Sequence, residues 1–222
     1  MIKAIFFDID DTILDYDKCA LFTVRRACET LGVPYSEAVQ TEYRRVDDAL
    51  WAQQKAGVLT IPQVLDKRNA HMMDYLGLTD GMSFQEAFIA AFAESADLVE
   101  GVEAVLAACK EKGLPLYCAS NGFMEVQVNR LTKAGMLHYF EQLFVSQSIG
   151  YEKPNIRFFE HCLEQTGYTP EAVLMVGDSL TADIRGALNA GWNVCYLNRH
   201  NRPSRLDITE ITSWEQFPHI YL

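Results

Sequence analysis

Residues 4–9 (Ala-Ile-Phe-Phe-Asp-Ile) are almost entirely apolar, as a strand buried on both faces should be. From about residue 15 to 96 the apolar positions change to helical spacing. Leu21, Val24, Cys28 and Leu31 fit one helix face, closed by Gly32 and Pro34. Val39, Tyr43, Val46 and Leu50 fit a second, ending near Gly57. Ile61, Val64, Leu65, Met72 and Leu76 suit a third, ending at Gly77, and Phe84, Phe88 and Phe92 a fourth. Beyond residue 98 strands and helices alternate. Helix 102–112 is followed by strand 114–119, helix 123–134 by a strand near 142–146, helix 155–166 by strand 172–176, and helix 180–190 by strand 193–197. Gly113, Gly135, Gly167 and Gly191 close the four helices.

Repeated strand–helix units predict an α/β fold, a doubly wound parallel sheet with helices on both faces. The four uninterrupted helices predict a separate helical cap at 15–97, inserted into a core made of 1–14 and 98–222. In such sheets ligands bind beyond the carboxyl ends of the strands, so the residues just after each strand carry the chemistry.

Composition narrows the partners. A formal net charge of −11 over 222 residues argues against nucleic acid and anionic membranes, which require basic surface. An anionic substrate would then need local cations and a metal. Cys19, Cys28, Cys109, Cys118, Cys162 and Cys195 form no C-x-x-C pair and no Cys/His cluster, which predicts free thiols in a reducing compartment. The chain begins Met1-Ile2-Lys3 and runs into a strand, with no secretory-signal pattern and no membrane-length apolar run. A cytoplasmic protein is expected, of oligomeric state the sequence leaves open.

The strand ends speak weakly one at a time. Asp8 and Asp10 lie two apart in an extended segment and point to one side, although acidic residues are common at strand ends. Ser120-Asn121-Gly122 reads equally as a turn and helix cap or as an anion seat at a helix N-terminus. Lys153-Pro154 is ordinary at the start of a helix. In Gly177-Asp178-Ser179, Asp178 suits a cap, and Asp183 favours the helix dipole. Taken in order they say more. Asp, Ser, Lys and Asp at successive strand ends bring carboxylates for a hard cation, a hydroxyl, and an ammonium for an anion to one edge of one sheet. Phosphoryl transfer needs that combination.

This ordered set, Asp8-Ile9-Asp10-Asp11-Thr12, Ser120, Lys153-Pro154 and Gly177-Asp178-Ser179 with Asp183, resembles the four motifs of the haloacid-dehalogenase (HAD) superfamily, and the insert resembles its helical cap. Within the insert, residues 50–60 (Leu-Trp-Ala-Gln-Gln-Lys-Ala-Gly-Val-Leu-Thr) resemble the cap of bacterial pyrimidine 5′-nucleotidases. Lys55-Ala56 stands where those enzymes show an acidic residue before the glycine.

The resemblance implies a Mg2+-dependent phosphatase. Asp8 would be the nucleophile forming a phospho-aspartyl intermediate, and Asp10 the general acid and base. Asp8, Asp178 and the Asp10 backbone carbonyl would hold Mg2+. Lys153 and Ser120, with backbone amides near Asn121 and Gly122, would bind the phosphoryl oxygens, while Asp183 orients Lys153 or metal-bound water. The substrate implied is a small phosphomonoester, a nucleoside 5′-monophosphate first. A sugar-phosphate phosphatase or phosphomutase is the alternative, and a dehalogenase or a non-catalytic binding module ranks below both. Trp51 reads either as a cap core residue or as a stacking platform for a base.

Overall fold

Every side chain of strand β1, Ala4–Phe7, is completely buried, so the strand must be central and covered on both faces. The computed structural model, which describes residues 1–222, shows this arrangement. After β1 the chain forms helices α1 (Tyr16–Leu31), α2 (Glu37–Lys55), α3 (Ile61–Tyr75), α4 (Phe84–Phe92) and α5 (Val102–Glu111). Then come β2 (Leu116–Ser120), α6 (Met124–Lys133), β3 (Gln142–Val145), α7 (Ser146–Ile149) and α8 (Ile156–Thr166). The remainder is β4 (Val173–Gly177), α9 (Gly186–Asn189), β5 (Asn193–Leu197), β6 (Thr209–Ile211) and α10 (Phe217–Tyr221).

The chain divides into two units. One comprises Met1–Tyr16 with Ala96–Leu222, the other Asp17–Ser95. In the first, six parallel strands lie in the order β3-β2-β1-β4-β5-β6. The chain winds outward from β1 through β2 and β3, then returns to the other side of β1 for β4. Its topological switch point therefore lies between β1 and β4, where an open α/β sheet binds ligands. Phe6 packs on one face with Phe144 and Trp192. Phe7 faces Phe140, Trp214 and Phe217 on the other. The expected doubly wound parallel sheet forms, with one strand more than the sequence pattern predicts. Thr209-Glu210-Ile211 is too short and too polar to register as a strand, and it is an edge strand paired on one side with β5. The helix expected at 180–190 is a π-helical segment, Leu180–Arg185, running into α9.

The second unit is helical. In α2 the expected face of Val39, Tyr43, Val46 and Leu50 is buried, together with Asp47. Two expectations for the helix faces need correction. In α1 the buried stripe is Cys19, Ala20, Thr23, Val24, Ala27 and Cys28, while Leu21 is 42% exposed; small side chains, not the largest apolar ones, form the packed face. In α3 the buried residues are Val64, Arg68 and Met72. Arg68 sits inside because its guanidinium bonds Asp47 at 2.9 Å and lies 4.3 Å from the centre of the Phe88 ring. Trp51 packs beside Val46, Leu50 and Val64, and its indole N–H donates to Asp47 at 3.2 Å. Reciprocal capping boxes, Thr60 with Gln63 and Ser83 with Glu86, start α3 and α4. No helix is long and apolar enough to cross a membrane.

Candidate active site

The segment after β1 folds back on itself at once. The Asp8 N–H continues the ladder to Val176 at 2.9 Å, and the Ile9 carbonyl then accepts from Ile13 and Leu14 at 2.8 and 2.9 Å. So tight a reversal requires a left-handed residue, and Asp11 supplies it with φ of 61°. Aspartate tolerates that region better than most residues because its short carboxylate finds local partners. Here they are the Tyr16 N–H at 3.2 Å, Arg199 at 3.4 Å and His200 at 3.2 Å. The turn fixes Asp8 at the switch point with Asp10 beside it. Asp8 is buried and Asp10 is half-buried.

Lys153 enters the same space from the loop after α7 and is buried. Its ammonium donates to Asp8 Oδ1 at 2.8 Å, to Asp183 Oδ1 at 2.6 Å and to the Ala119 carbonyl at 2.5 Å. The Asn121 side chain fixes this lysine by its backbone, accepting from the Lys153 N–H and donating to its carbonyl, both at 2.8 Å. Asp183 is held in turn by the Ser179 N–H at 2.9 Å. Position 177 must be glycine, because a Cβ there would run into the Asp183 carboxylate.

The electrostatics are unbalanced. Burial pushes the Asp8 carboxyl well above the usual carboxylate range, against the pull of Lys153 and with the help of Asp183 and Asp178. Burial opposes the charge on Lys153, but Asp183 and Asp8 outweigh it and raise its pKa. One carboxylate oxygen from each of Asp8, Asp178 and Asp183 lies within 4.8 Å of the others. Three carboxylates against one buried ammonium leave surplus negative charge, and oxygen donors at this spacing fit a hard divalent cation. Asp178 also accepts from Arg202 at 3.4 Å. The cysteines offer no rival chemistry: all six are free and buried, and burial pushes the Cys109 and Cys195 thiols up to about 12.

The structure thus brings Asp8, Lys153, Asp178 and Asp183 together. The Asp10 side chain turns instead to α6, where Arg130 Nη1 donates to its Oδ1 at 2.7 Å and Gln127 Nε2 to its Oδ2 at 3.0 Å. Gln127 Nε2 also lies 3.0 Å from Ser120 Oγ. A Cβ at Gly122 would come within 2.9 Å of the Gln127 amide nitrogen, so the glycine there leaves room for that amide. Sequence reasoning passed over Gln127, Arg130 and Arg202. The first two stand three apart on one face of α6, and polar residues at that spacing ordinarily mark a solvated face. Nothing in the sequence distinguishes them from surface residues.

Residues 2–191 match the family described as haloacid dehalogenase-like hydrolase. The pyrimidine 5′-nucleotidase YjjG of Escherichia coli is 34% identical over 200 residues, covering 89% of this chain and 87% of that protein. A glyceraldehyde 3-phosphate phosphatase of Methanothermobacter thermautotrophicus is 28% identical over 232 residues, covering 99% of this chain and all of that protein (100%). The HAD-hydrolase YfnB of Bacillus subtilis is 29% identical over 223 residues, covering 98% of this chain and 94% of YfnB. A crystal structure of YfnB bound to magnesium shares the fold with a TM-score of 0.91 at 28% identity, covering 99% of this chain and 98% of that one.

Proposed function

The chain belongs to the haloacid dehalogenase-like hydrolase family, and from that premise we propose that it hydrolyses small phosphomonoesters through a phospho-aspartyl intermediate on Asp8. The observation that carries the reading is the gathering of carboxylates at the switch point: Asp8 and Asp183 share one buried ammonium, Lys153, and Asp178, which Arg202 meets at 3.4 Å, brings a third carboxylate oxygen within 4.8 Å of theirs. A haloalkanoate substrate needs no metal and no acid–base carboxylate at position 10. A phosphate ester needs both.

In the first half-reaction an Asp8 carboxylate oxygen forms a bond to phosphorus as the ester P–O bond breaks, and Asp10 gives its proton to the departing alkoxide. In the second, water adds to phosphorus while Asp10 takes its proton. The bond to Asp8 breaks, and inorganic phosphate and free Asp8 result. Lys153 neutralises charge on Asp8 and on a phosphoryl oxygen. Ser120 and the amides near Asn121 and Gly122 hold the remaining oxygens. Mg2+, held by Asp8, Asp178 and the Asp10 carbonyl, would offset the repulsion between carboxylate and phosphate dianion. Asp183 fixes Lys153.

For the ester itself, similarity to YjjG favours a pyrimidine nucleoside 5′-monophosphate. The full-length similarity to a glyceraldehyde 3-phosphate phosphatase favours a triose phosphate as the second reading. Phosphate release from p-nitrophenyl phosphate, nucleoside 5′-monophosphates and glyceraldehyde 3-phosphate, each with and without Mg2+, tests both levels. Mg2+-dependent release supports the reaction, and the best ester identifies the substrate class. No metal-dependent release from any ester would overturn the proposal.

A further inference from the structure

Both oxygens of the Asp10 carboxylate are held by a single helix. Arg130 Nη1 is 2.7 Å from Oδ1 and Gln127 Nε2 is 3.0 Å from Oδ2. The same Arg130 nitrogen donates to Gln127 Oε1 at 3.0 Å, which fixes which way the amide faces, and the amide nitrogen reaches Ser120 Oγ at 3.0 Å. Gln127 and Arg130 are 2% and 0% exposed, whereas the Asp10 side chain is 33% exposed. The half-buried partner is the carboxylate on the loop, and the other two are packed, buried side chains on α6.

We infer that Gln127 and Arg130 are positioning residues that aim the Asp10 carboxylate at the leaving-group oxygen, in register with Ser120. The inference rests on the phosphatase reading of the site. A proton donor on a loop is effective only if it stays within hydrogen-bond reach of the oxygen it serves, and a misplacement of about 1 Å can cost on the order of 100-fold. A charge-assisted bond to one oxygen and an amide bond to the other remove the rotational freedom that the two χ angles of Asp10 would otherwise have. The shared amide ties the acid–base group to Ser120, so the phosphate seat and the leaving-group side of the reaction are set by one element. An ion pair serving the fold alone would have no need to include Ser120 in its network.

The consequence is a dependence on the leaving group. A nucleoside or sugar alkoxide must be protonated as it leaves, whereas p-nitrophenolate departs readily without help. Arg130→Met, Gln127→Leu and the conservative Arg130→Lys would be compared with the wild-type protein in Mg2+ on a nucleoside 5′-monophosphate and on p-nitrophenyl phosphate. For Arg130→Met and Gln127→Leu, kcat/KM on the alkyl ester should fall tenfold or more beyond any fall on p-nitrophenyl phosphate. This is part of the roughly 10²–10⁴-fold that acid–base catalysis supplies. Arg130→Lys should recover much of the difference. Equal losses on both esters, or a gain on the alkyl ester, would overturn the inference while leaving the phosphatase reading in place. A wild-type protein inactive on both would overturn the two together. Should Arg130→Met fail to fold, Gln127→Leu keeps the Arg130–Asp10 pair and decides the question through the same ratio.

Discussion

Each unit of this protein buries a cation against carboxylate, and the two arrangements differ in their charge balance. In the helical unit Arg68 meets Asp47 at 2.9 Å with both side chains nearly fully buried. Tyr43 and Gln85 add hydrogen bonds at 3.3 and 3.0 Å, and the Phe88 ring lies against the guanidinium. The contacts that hold Arg68 include one carboxylate, a phenol, an amide and an aromatic ring. In the sheet unit Lys153 binds both Asp8 and Asp183, with Asp178 close by. The Arg68–Asp47 pair lies inside the core of the helical unit. The strand-end group gathers three carboxylates around one buried ammonium, and that gathering is what recommends it as a place for a cation and a phosphate. Burial of an ion pair is therefore no sign of function by itself; an uncompensated one is.

The contrast is sharpest at Asp8. Asp8→Asn removes the attacking carboxylate and should lower turnover by at least about 10⁴-fold, the scale seen when a nucleophile is lost. It also removes one like charge from a buried cluster, while Lys153 keeps its bond to Asp183 at 2.6 Å. The melting temperature should hold or rise. Activity within tenfold of wild type would remove Asp8 from the nucleophile's role. The Arg68–Asp47 pair should behave oppositely. Arg68→Met removes a guanidinium bonded to the buried Asp47 carboxylate at 2.9 Å and should cost about 3–5 kcal/mol of stability. A urea titration measures this, and an unchanged midpoint would show that the pair contributes nothing to the stability of the helical unit.

A smaller effect is expected at Asp178. Its carboxylate belongs to the surplus, so Asp178→Ala should raise the Mg2+ concentration for half-maximal activity by about 100-fold, the upper end of what even indirect supports of a metal site contribute. KM at saturating Mg2+ should change little. A metal requirement equal to that of the wild type would exclude Asp178 as a ligand.

These differences also explain which parts were legible in the sequence. Strand ends announce themselves because an unbroken apolar run stops at a polar residue, as Phe7 gives way to Asp8 and Gly177 to Asp178. Helices closed by glycine are similarly plain. Arg68, Gln127 and Arg130 were not legible, since each is a charged or polar residue at helical spacing whose burial depends on a partner 21 to 120 residues away. Periodicity is local and cannot see such a pairing. The α1 stripe is legible only in part for a related reason: Val24 and Cys28 are buried as expected, but Ala20, Thr23 and Ala27 are small, and small residues carry little hydrophobic signal even where close packing selects them.

Trp51 gives the smallest effect and separates the two regions most finely. A residue selecting a nucleotide base would present its ring to the ligand, whereas a core residue spends its ring on neighbours. The indole packs beside Val46, Leu50 and Val64, and its N–H donates to Asp47, the carboxylate already paired with Arg68. Trp51 thus extends the Arg68–Asp47 network of the helical unit. Trp51→Phe keeps a ring for packing and for stacking but removes the N–H, so it should cost about 1 kcal/mol of stability, the net worth of one hydrogen bond. The loss should appear in a urea titration, with KM for a pyrimidine monophosphate and for p-nitrophenyl phosphate moving together or not at all. Trp51→Ala then removes the ring. A stacked base would be worth about 1–3 kcal/mol and would raise the nucleotide KM alone by that factor. If only the nucleotide KM rose, with stability unchanged, Trp51 would belong to substrate recognition. A common loss on both esters, with a lowered urea midpoint, would leave it in the core beside Asp47.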